Sequence, residues 1–342
     1  MEEYDYCGTL RFEGEYLKGK KWNGKGYDCN GNEDYEIKNG KGKIKEYNWF
    51  NSNIIFEGDY LNEEKINGKE YNDKNELIFE GEYLDGKKWK GKIKEYRYGY
   101  LMYDGEISKG VWNGKGKEYN EDGKLICEGE YLNGKKNKII KEYYYNGNIK
   151  FEGEYLSGEK NGKAKEFFNN GKIKFEGQYL NDRKNGKAKE YNDRGKLIFE
   201  GEYLNGEKNG KAKEYYNDGK IIEEIIYLNG KRNGKGKEYN YKDELIFVGD
   251  FVEGKRWNGK GKEYNSKNEI IFEGDYLNGQ KWNGIIKLYN YNGKIKFEGE
   301  YLNGEKNGKA KEYYDNGKLK FDGEYLNEKK MEKPENIMKM EN

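Results

Sequence analysis

The sequence predicts an all-β fold: an elongated, twisted, single-layer antiparallel ribbon of tandem β-hairpins, solenoid-like in its repetition. Two observations predict it. About fourteen imperfect copies of one motif, each close to 24 residues long, fill nearly the whole chain and read Phe-Glu-Gly-Glu-Tyr-Leu, then Asn-Gly, then Gly-Lys-Ala/Gly-Lys-Glu-Tyr. Six copies keep a strict 24-residue interval, with central glycines at Gly81, Gly105, Gly129, Gly153, Gly177 and Gly201, the mark of stacked supersecondary units. Within one copy, the strand formers Leu197, Ile198, Phe199, Tyr203 and Leu204 alternate with the turn signals Asn205-Gly206, Asn209-Gly210 and Asp218-Gly219. Helix is excluded because a glycine falls every few residues and apolar positions do not recur at three and four.

Each element follows from turn chemistry and side-chain alternation. If Asn170-Gly171 is a two-residue turn, Asn169 faces Lys172. Counting outward then pairs Phe168 with Ile173, Glu166 with Phe175, Ala164 with Gly177 and Gly162 with Tyr179. Lys165 with Glu176 and Lys163 with Gln178 fall on the other face. The second connection closes around the four residues Asn205 to Lys208, pairing Tyr203 with Gly210, Gly201 with Ala212 and Phe199 with Glu214. Both turns therefore sort side chains alike: one face holds rings and small residues, the other alternates lysine with glutamate, each ion pair contributing ~0.2–1 kcal/mol. Residues 1–328 form the array, and 329–342 form a non-repeat tail holding the single proline, Pro334. This tail either caps the last strand, Leu319 to Leu326, or is disordered.

Composition excludes whole classes of chemistry. There is no histidine and one threonine, and 65 basic against 64 acidic residues leave a net charge of +1. That balance does not suit a polyanion-binding protein. Cys7, Cys29 and Cys127 are too scattered for a disulfide framework or a zinc site, which fits a reducing compartment. The first residues lack a basic start and an apolar core, and no segment approaches ~20 apolar residues. The expectation is a soluble, cytoplasmic chain with no catalytic residues, no metal and no cofactor.

The succession Phe199-x-Gly201-x-Tyr203, Gly206, Gly210, Ala212 and Gly219 resembles the MORN repeat family. Gly114-Lys115-Gly116, Gly234-Lys235-Gly236 and Gly259-Lys260-Gly261 keep that family's Gly-x-Gly, whereas Ala164, Ala188, Ala212 and Ala310 depart from it. Phenylalanine in place of the family's first tyrosine, followed by Glu-Tyr-Leu, is similar to the bacterial variant repeat, some of whose proteins carry an antitoxin label. The resemblance spans Leu10 to Leu326. It implies a ribbon that binds or scaffolds other molecules, without catalytic residues and with phospholipid contact among the family's proposed roles.

Three surfaces stand out as candidates. Trp22, Trp89, Trp112, Trp257 and Trp282 fall in the hairpin loop, read as one residue longer there than in copies such as Glu207-Lys208-Asn209-Gly210. As an edge insertion they are either contact anchors or lids folded over a neighbouring tyrosine. The ring face, represented by Tyr155, Tyr179, Tyr203, Phe175 and Phe199, is expected to leave apolar area partly exposed for a partner. Its glutamates, Glu118, Glu142, Glu166, Glu190, Glu214, Glu238, Glu263 and Glu312, lie too far apart for one metal ion: roughly 9.6 Å between copies, against oxygen ligands at about 2.3–2.6 Å. They are expected to lay their stems on phenylalanine and reach water. Irregular copies, with Ile225 at a glycine position and Lys138 and Ile140 at small positions, are either drift or a specialised patch that bends the ribbon.

The functional expectation is a non-enzymatic protein-binding repeat protein, in antitoxin or inhibitor form, that occludes a partner protein through the ring face and loop edges. A homodimer through the ring faces uses the same strip. The alternative is a membrane-associated scaffold on anionic phospholipid.

Overall fold

The computed structural model describes residues 1–5, 8–48, 50 and 52–331. Among them are thirty strands and no helix, in one open antiparallel sheet of hairpins not closed into a barrel. Cys7 and the tail beyond Met331, with the expectation that it caps the last strand or is disordered, lie outside the described residues; Lys329–Lys330 form a short strand against Tyr325 and Leu326. By contacts the chain forms two compact units, Met1–Lys172 with Tyr179–Asp182, and Ile173–Gln178 with Arg183–Asn342.

The second unit shows how one repeat is built. Strands Arg183–Tyr191 and Leu197–Leu204 pair Glu190 with Phe199, Ala188 with Gly201 and Gly186 with Tyr203, with Lys189–Glu200 and Lys187–Glu202 between. This is the expected register carried forward one repeat, but the turn differs from the two residues expected. In the first unit Phe168 N–H donates to the Lys172 carbonyl at 2.8 Å, and Gly171 N–H donates to the Phe168 carbonyl at 2.9 Å. The loop thus holds three residues, with Gly171 in the left-handed region at φ 81°. In the second unit a bulge between Glu190 and Tyr191 absorbs the extra residue, the usual companion of a three-residue loop. An asparagine side chain closes the loop: Asn192 Oδ1 accepts N–H groups from Arg194 and Lys196 at 3.0 and 2.9 Å.

The other hairpin also departs from expectation. Leu204 pairs with Glu207 and Tyr203 with Lys208, not Gly210. Asn205 and Gly206 alone make the turn, both at positive φ (53° and 91°), as the tight primed turn requires. The ladder then shifts between Glu202–Asn209 and Glu200–Lys213, so two additional residues bulge from strand Glu207–Tyr215. Phe199 still meets Glu214. Side-chain alternation survives because the displacement is even.

Burial confirms the two faces within each unit. Phe175, Phe199, Phe247 and Phe272 are at most 2% exposed and Tyr203 and Tyr276 at most 8%, while Lys187 and Lys189 between them are exposed. The first unit has the matching core of Phe12, Phe56, Phe79, Ile37, Ile44, Tyr83 and Ile107. The expectation that the ring face leaves much ring area exposed does not hold. The ring tip of phenylalanine lies against glycine: a methyl built on Gly201 would stand 2.8 Å from Phe199 Cζ and 2.7 Å from Ala212 Cβ, inside the ~3.5–4.0 Å of carbon contact. Tyrosines then close over it edge-on, at 5.4 Å for Phe199–Tyr203 and 6.4 Å for Phe175–Tyr203. Glycine, by removing a side chain, lets one layer bury its own rings.

Candidate functional site

The lid over a buried ring is a cation that follows the tight turn, a lysine at Phe175 and Phe199 and an arginine at Phe247. Lys184 Nζ lies 4.3 Å from the Phe175 ring centre and 5.3 Å from that of Tyr203, and 2.5 Å from Glu190 Oε1. Tyr203 O–H donates to the same Glu190 oxygen at 3.0 Å. Lysine, glutamate and tyrosine thus form a tie above Phe175. The tie recurs at Lys136, Glu142 and Tyr155, with both contacts within 2.9 Å, here above Cys127 at the phenylalanine position. It corrects the expectation that the glutamate carboxylates simply reach water, since they accept from a lysine and a phenol. A cation over a desolvated ring is worth ~0.5–2 kcal/mol.

The electrostatics follow from burial. Desolvation first, then the Glu190 charge, push the Tyr203 phenol well above its usual range; Tyr155 behaves likewise beside Glu142. Burial alone would raise Glu142, but hydrogen bonds from Lys136 and Tyr155 and the Lys136 charge outweigh it and hold the carboxyl below 4.5. This arrangement keeps phenols neutral and carboxylates charged, so it acts as a structural clamp.

The tryptophans divide into two sets. Trp22, Trp89, Trp257 and Trp282 are single bulged residues: Tyr83 pairs with Lys88 and Glu82 with Lys90, leaving Trp89 over, and the same skip occurs at the other three. Three of their rings rest on the turn glycine of the next hairpin. Methyls built on Gly40, Gly279 and Gly304 would stand 3.3, 3.3 and 3.5 Å from Trp22, Trp257 and Trp282. The glycine N–H groups also donate to the tryptophan carbonyls at 2.7–2.9 Å. Trp112 corrects the expectation of a longer loop, because it pairs directly with Ile107 in a loop of ordinary length. Its ring stacks on Tyr103 at 4.0 Å with planes 1° apart and donates to Glu95 Oε2 at 3.2 Å.

Of the ring-face candidates, Phe175 and Phe199 are at most 2% exposed and Tyr155, Tyr179 and Tyr203 are 7–8% exposed, so a partner would meet their lysine and glutamate cover. The surface that sequence reasoning missed lies on the reverse face. The leucine of each Glu-Tyr-Leu points away from the buried tyrosine, and in the second unit Leu204, Leu228, Val252, Leu277, Leu302 and Leu326 are 36–53% exposed. The signal was present in the alternation itself: a tyrosine turned to the core obliges the next residue to turn outward.

With this geometry the comparisons fall into place. The family model described as MORN repeat variant matches residues 112–133, 136–156, 160–181, 184–205, 208–229, 282–303 and 306–327, and the MORN repeat model matches 226–241. The chain belongs to the MORN repeat family. No curated protein matches it. Among solved structures, the crystal structure of TcdB2-TccC3 is 12% identical, with a TM-score of 0.18, covering 95% of this chain and 18% of that one. A Photorhabdus luminescens Tc holotoxin pore is 12% identical, with a TM-score of 0.18, covering 93% of this chain and 16% of that one. The chain therefore spans less than a fifth of these structures' chains, and a likeness at that TM-score carries no argument.

Proposed function

We propose that this chain is a non-enzymatic protein-binding repeat protein, of the antitoxin or inhibitor kind, that covers a partner's working surface. The observation that carries this reading is the row of exposed aliphatic side chains, one per hairpin, on the reverse face. Isolated exposed leucines are ordinary on a protein surface, whereas this row recurs at one position of every hairpin, interleaved on the same face with Lys231, Lys255, Gln280 and Glu305, and presents the mixed apolar and polar surface that interfaces use. The ring face is occupied by its own clamp, so binding is assigned to the reverse face and the tryptophan-bearing turn edge.

The test is affinity capture from cells that produce the protein, comparing the unaltered chain with two variants. One changes Leu228, Leu277 and Leu302 to asparagine; the other changes Trp257 and Trp282 to alanine. The expected result is loss of specific partners from the first variant, with circular dichroism unchanged. Undiminished recovery of the same partners by both variants would remove the reading.

A further inference from the structure

Phenylalanine separates the clamp glutamates of successive hairpins: Phe199 is paired with Glu190 on one side and with Glu214 on the other. In strand Ile221–Leu228 that place is taken by Glu223, which faces Glu214 across one ladder and Glu238 across the other. Three carboxyl groups therefore stand in a row across three adjacent strands. Glu223, the middle one, is 3% exposed. Like charges directly opposite one another destabilise a sheet, and a buried carboxylate needs partners of its own.

The partners are unequally shared. Around Glu223 stand Tyr227 on its own strand, Glu214 with Lys208 on one neighbour, and Arg232 and Glu238 on the other, with Arg256 beyond. Glu214 Oε1 accepts from Lys208 Nζ. Glu238 has Arg232 Nη1 at 2.6 Å on one oxygen and Arg256 Nε at 2.5 Å on the other. Glu223 Oε2 meets the same Arg232 nitrogen at the longer 3.0 Å. Its other oxygen, Oε1, lies 2.9 Å from the Tyr227 phenol oxygen, which is itself 2.8 Å from Glu214 Oε1. A phenol carries one proton. With both glutamates ionised, that proton could fill only one of the two contacts, and the other would set oxygen against oxygen. A proton on Glu223 Oε1 completes the chain: Glu223 donates to the phenol oxygen and the phenol donates to Glu214. Burial, the largest influence, and the Glu214 charge favour that proton, the Arg232 charge opposes it, and the balance holds the carboxyl above 4.5.

We propose that Glu223 keeps a proton inside the fold and makes this one copy a pH-sensitive switch. Protonated, it closes the row through Tyr227; ionised, it sets three carboxylates side by side and loosens strand Ile221–Leu228 from its neighbours. The charge is introduced where the ladder is interrupted, since the following strand is split into Lys231–Arg232 and Gly234–Tyr239. Because the folded value is raised, the stability this group contributes is full below pH 4.5 and is lost as pH rises through the folded value. Release of one proton changes the opening equilibrium by up to about tenfold per pH unit in that window.

Two measurements on the full chain test the switch. Infrared difference spectra of the unaltered chain against Glu223→Gln, recorded from about pH 4 to about pH 9, read the carbonyl stretch of a protonated carboxyl. The expected band fades with its midpoint above pH 4.5. Hydrogen exchange of Ile221–Leu228, corrected for the pH dependence of intrinsic exchange and taken as a ratio to Leu197–Leu204, should show opening that grows by up to about tenfold per pH unit through that midpoint. Glu223→Gln keeps an N–H donor for the phenol and has no proton to release, so its ratio should stay level. A carboxyl band already half gone at or below pH 4.5, a ratio that is level in the unaltered chain, or the same growth in Glu223→Gln overturns the switch. The ratio in the unaltered chain needs no variant, so it decides the matter by itself should Glu223→Gln fail to fold.

Discussion

Strand Ile221–Leu228 carries Glu223 and Ile225 where neighbouring repeats carry phenylalanine and glycine, and the two departures form one exchange of volume. Glu223 is 3% exposed and Ile225 is 3% exposed. Burial, ahead of the opposing Arg232 charge, raises the Glu223 carboxyl, although Arg232 donates to it at 3.0 Å and the Tyr227 phenol lies at 2.9 Å. Restoring phenylalanine by Glu223→Phe alone removes that buried carboxyl but drives a ring into Ile225. Even a methyl at the corresponding Gly201 comes within 2.8 Å of Phe199, so overpacking is expected to cost about 1–3 kcal/mol. Ile225→Gly alone deletes four buried carbons at ~0.8 kcal/mol each, adds ~0.5–1 kcal/mol of backbone entropy and leaves a cavity, about 4 kcal/mol in all. The double variant rebuilds Phe-x-Gly, and Arg232 keeps Glu238 at 2.6 Å. It should therefore lie near the unaltered chain, which against single costs of about 1–3 and about 4 kcal/mol is a favourable coupling of about 5–7 kcal/mol. Hydrogen exchange of the amides in Ile221–Leu228 is the assay, with Leu197–Leu204 as internal reference, because repeat arrays open locally. Single-variant effects that add to within ~0.5 kcal/mol in the double variant would refute the exchange of volume.

Two further predictions concern the clamp and the tryptophans. Tyr155 and Tyr203 have folded pKa values raised above the usual 10.0, so their contribution is full below pH 10 and is lost as pH rises through the folded values. Glu142 and Glu263 are lowered from 4.5, so theirs is present above pH 4.5 and lost as pH falls through the folded values. Chemical-denaturation midpoints should thus decline on both sides of that range, and the phenolate absorbance of Tyr155 and Tyr203, read as the difference between the unaltered chain and the Tyr155→Phe, Tyr203→Phe variant, should appear only with unfolding; a difference that titrates with its midpoint at pH 10 in the folded chain would refute this. Trp112→Ala should cost about 3–5 kcal/mol of local stability, because it empties a stacked, half-buried site. Trp257→Ala, removing a ring that rests on a turn, should cost about 1–2 kcal/mol. Hydrogen exchange of Tyr100–Ser108 and Ile270–Leu277 reads the two, and equal losses would contradict the assignment of the two sites.

Volume exchange also accounts for the other irregular copy. Cys127 stands at a phenylalanine position and Ile140 at an alanine position, and both are buried, at 2% and 0%. Drift in one residue is matched in the next strand, so ring-face packing is kept while its composition changes. The strand that follows Ile221–Leu228 does break, into Lys231–Arg232 and Gly234–Tyr239, as expected of bulk at a glycine position.

Periodicity and alternation belong to the chain itself. The 24-residue repeat, the Asn-Gly punctuation and the two-residue rhythm of ring and charge were enough to derive hairpins, the segregation of faces and the pairing of Glu190 with Phe199, because a one-residue slip would turn every ring to water. Loop lengths were not legible: the three-residue Asn-Gly loop and the tight turn with a two-residue bulge both preserve the same core register, so the pattern of faces does not distinguish them. The lysine–glutamate–tyrosine tie, the seat of each tryptophan ring and the burial of phenylalanine in a single layer were decided only in three dimensions. Each depends on contacts between residues some 6 to 28 positions apart, such as Lys184 with Glu190 and Phe175 with Tyr203, whose distances are set by how glycine lets neighbouring strands and rings approach.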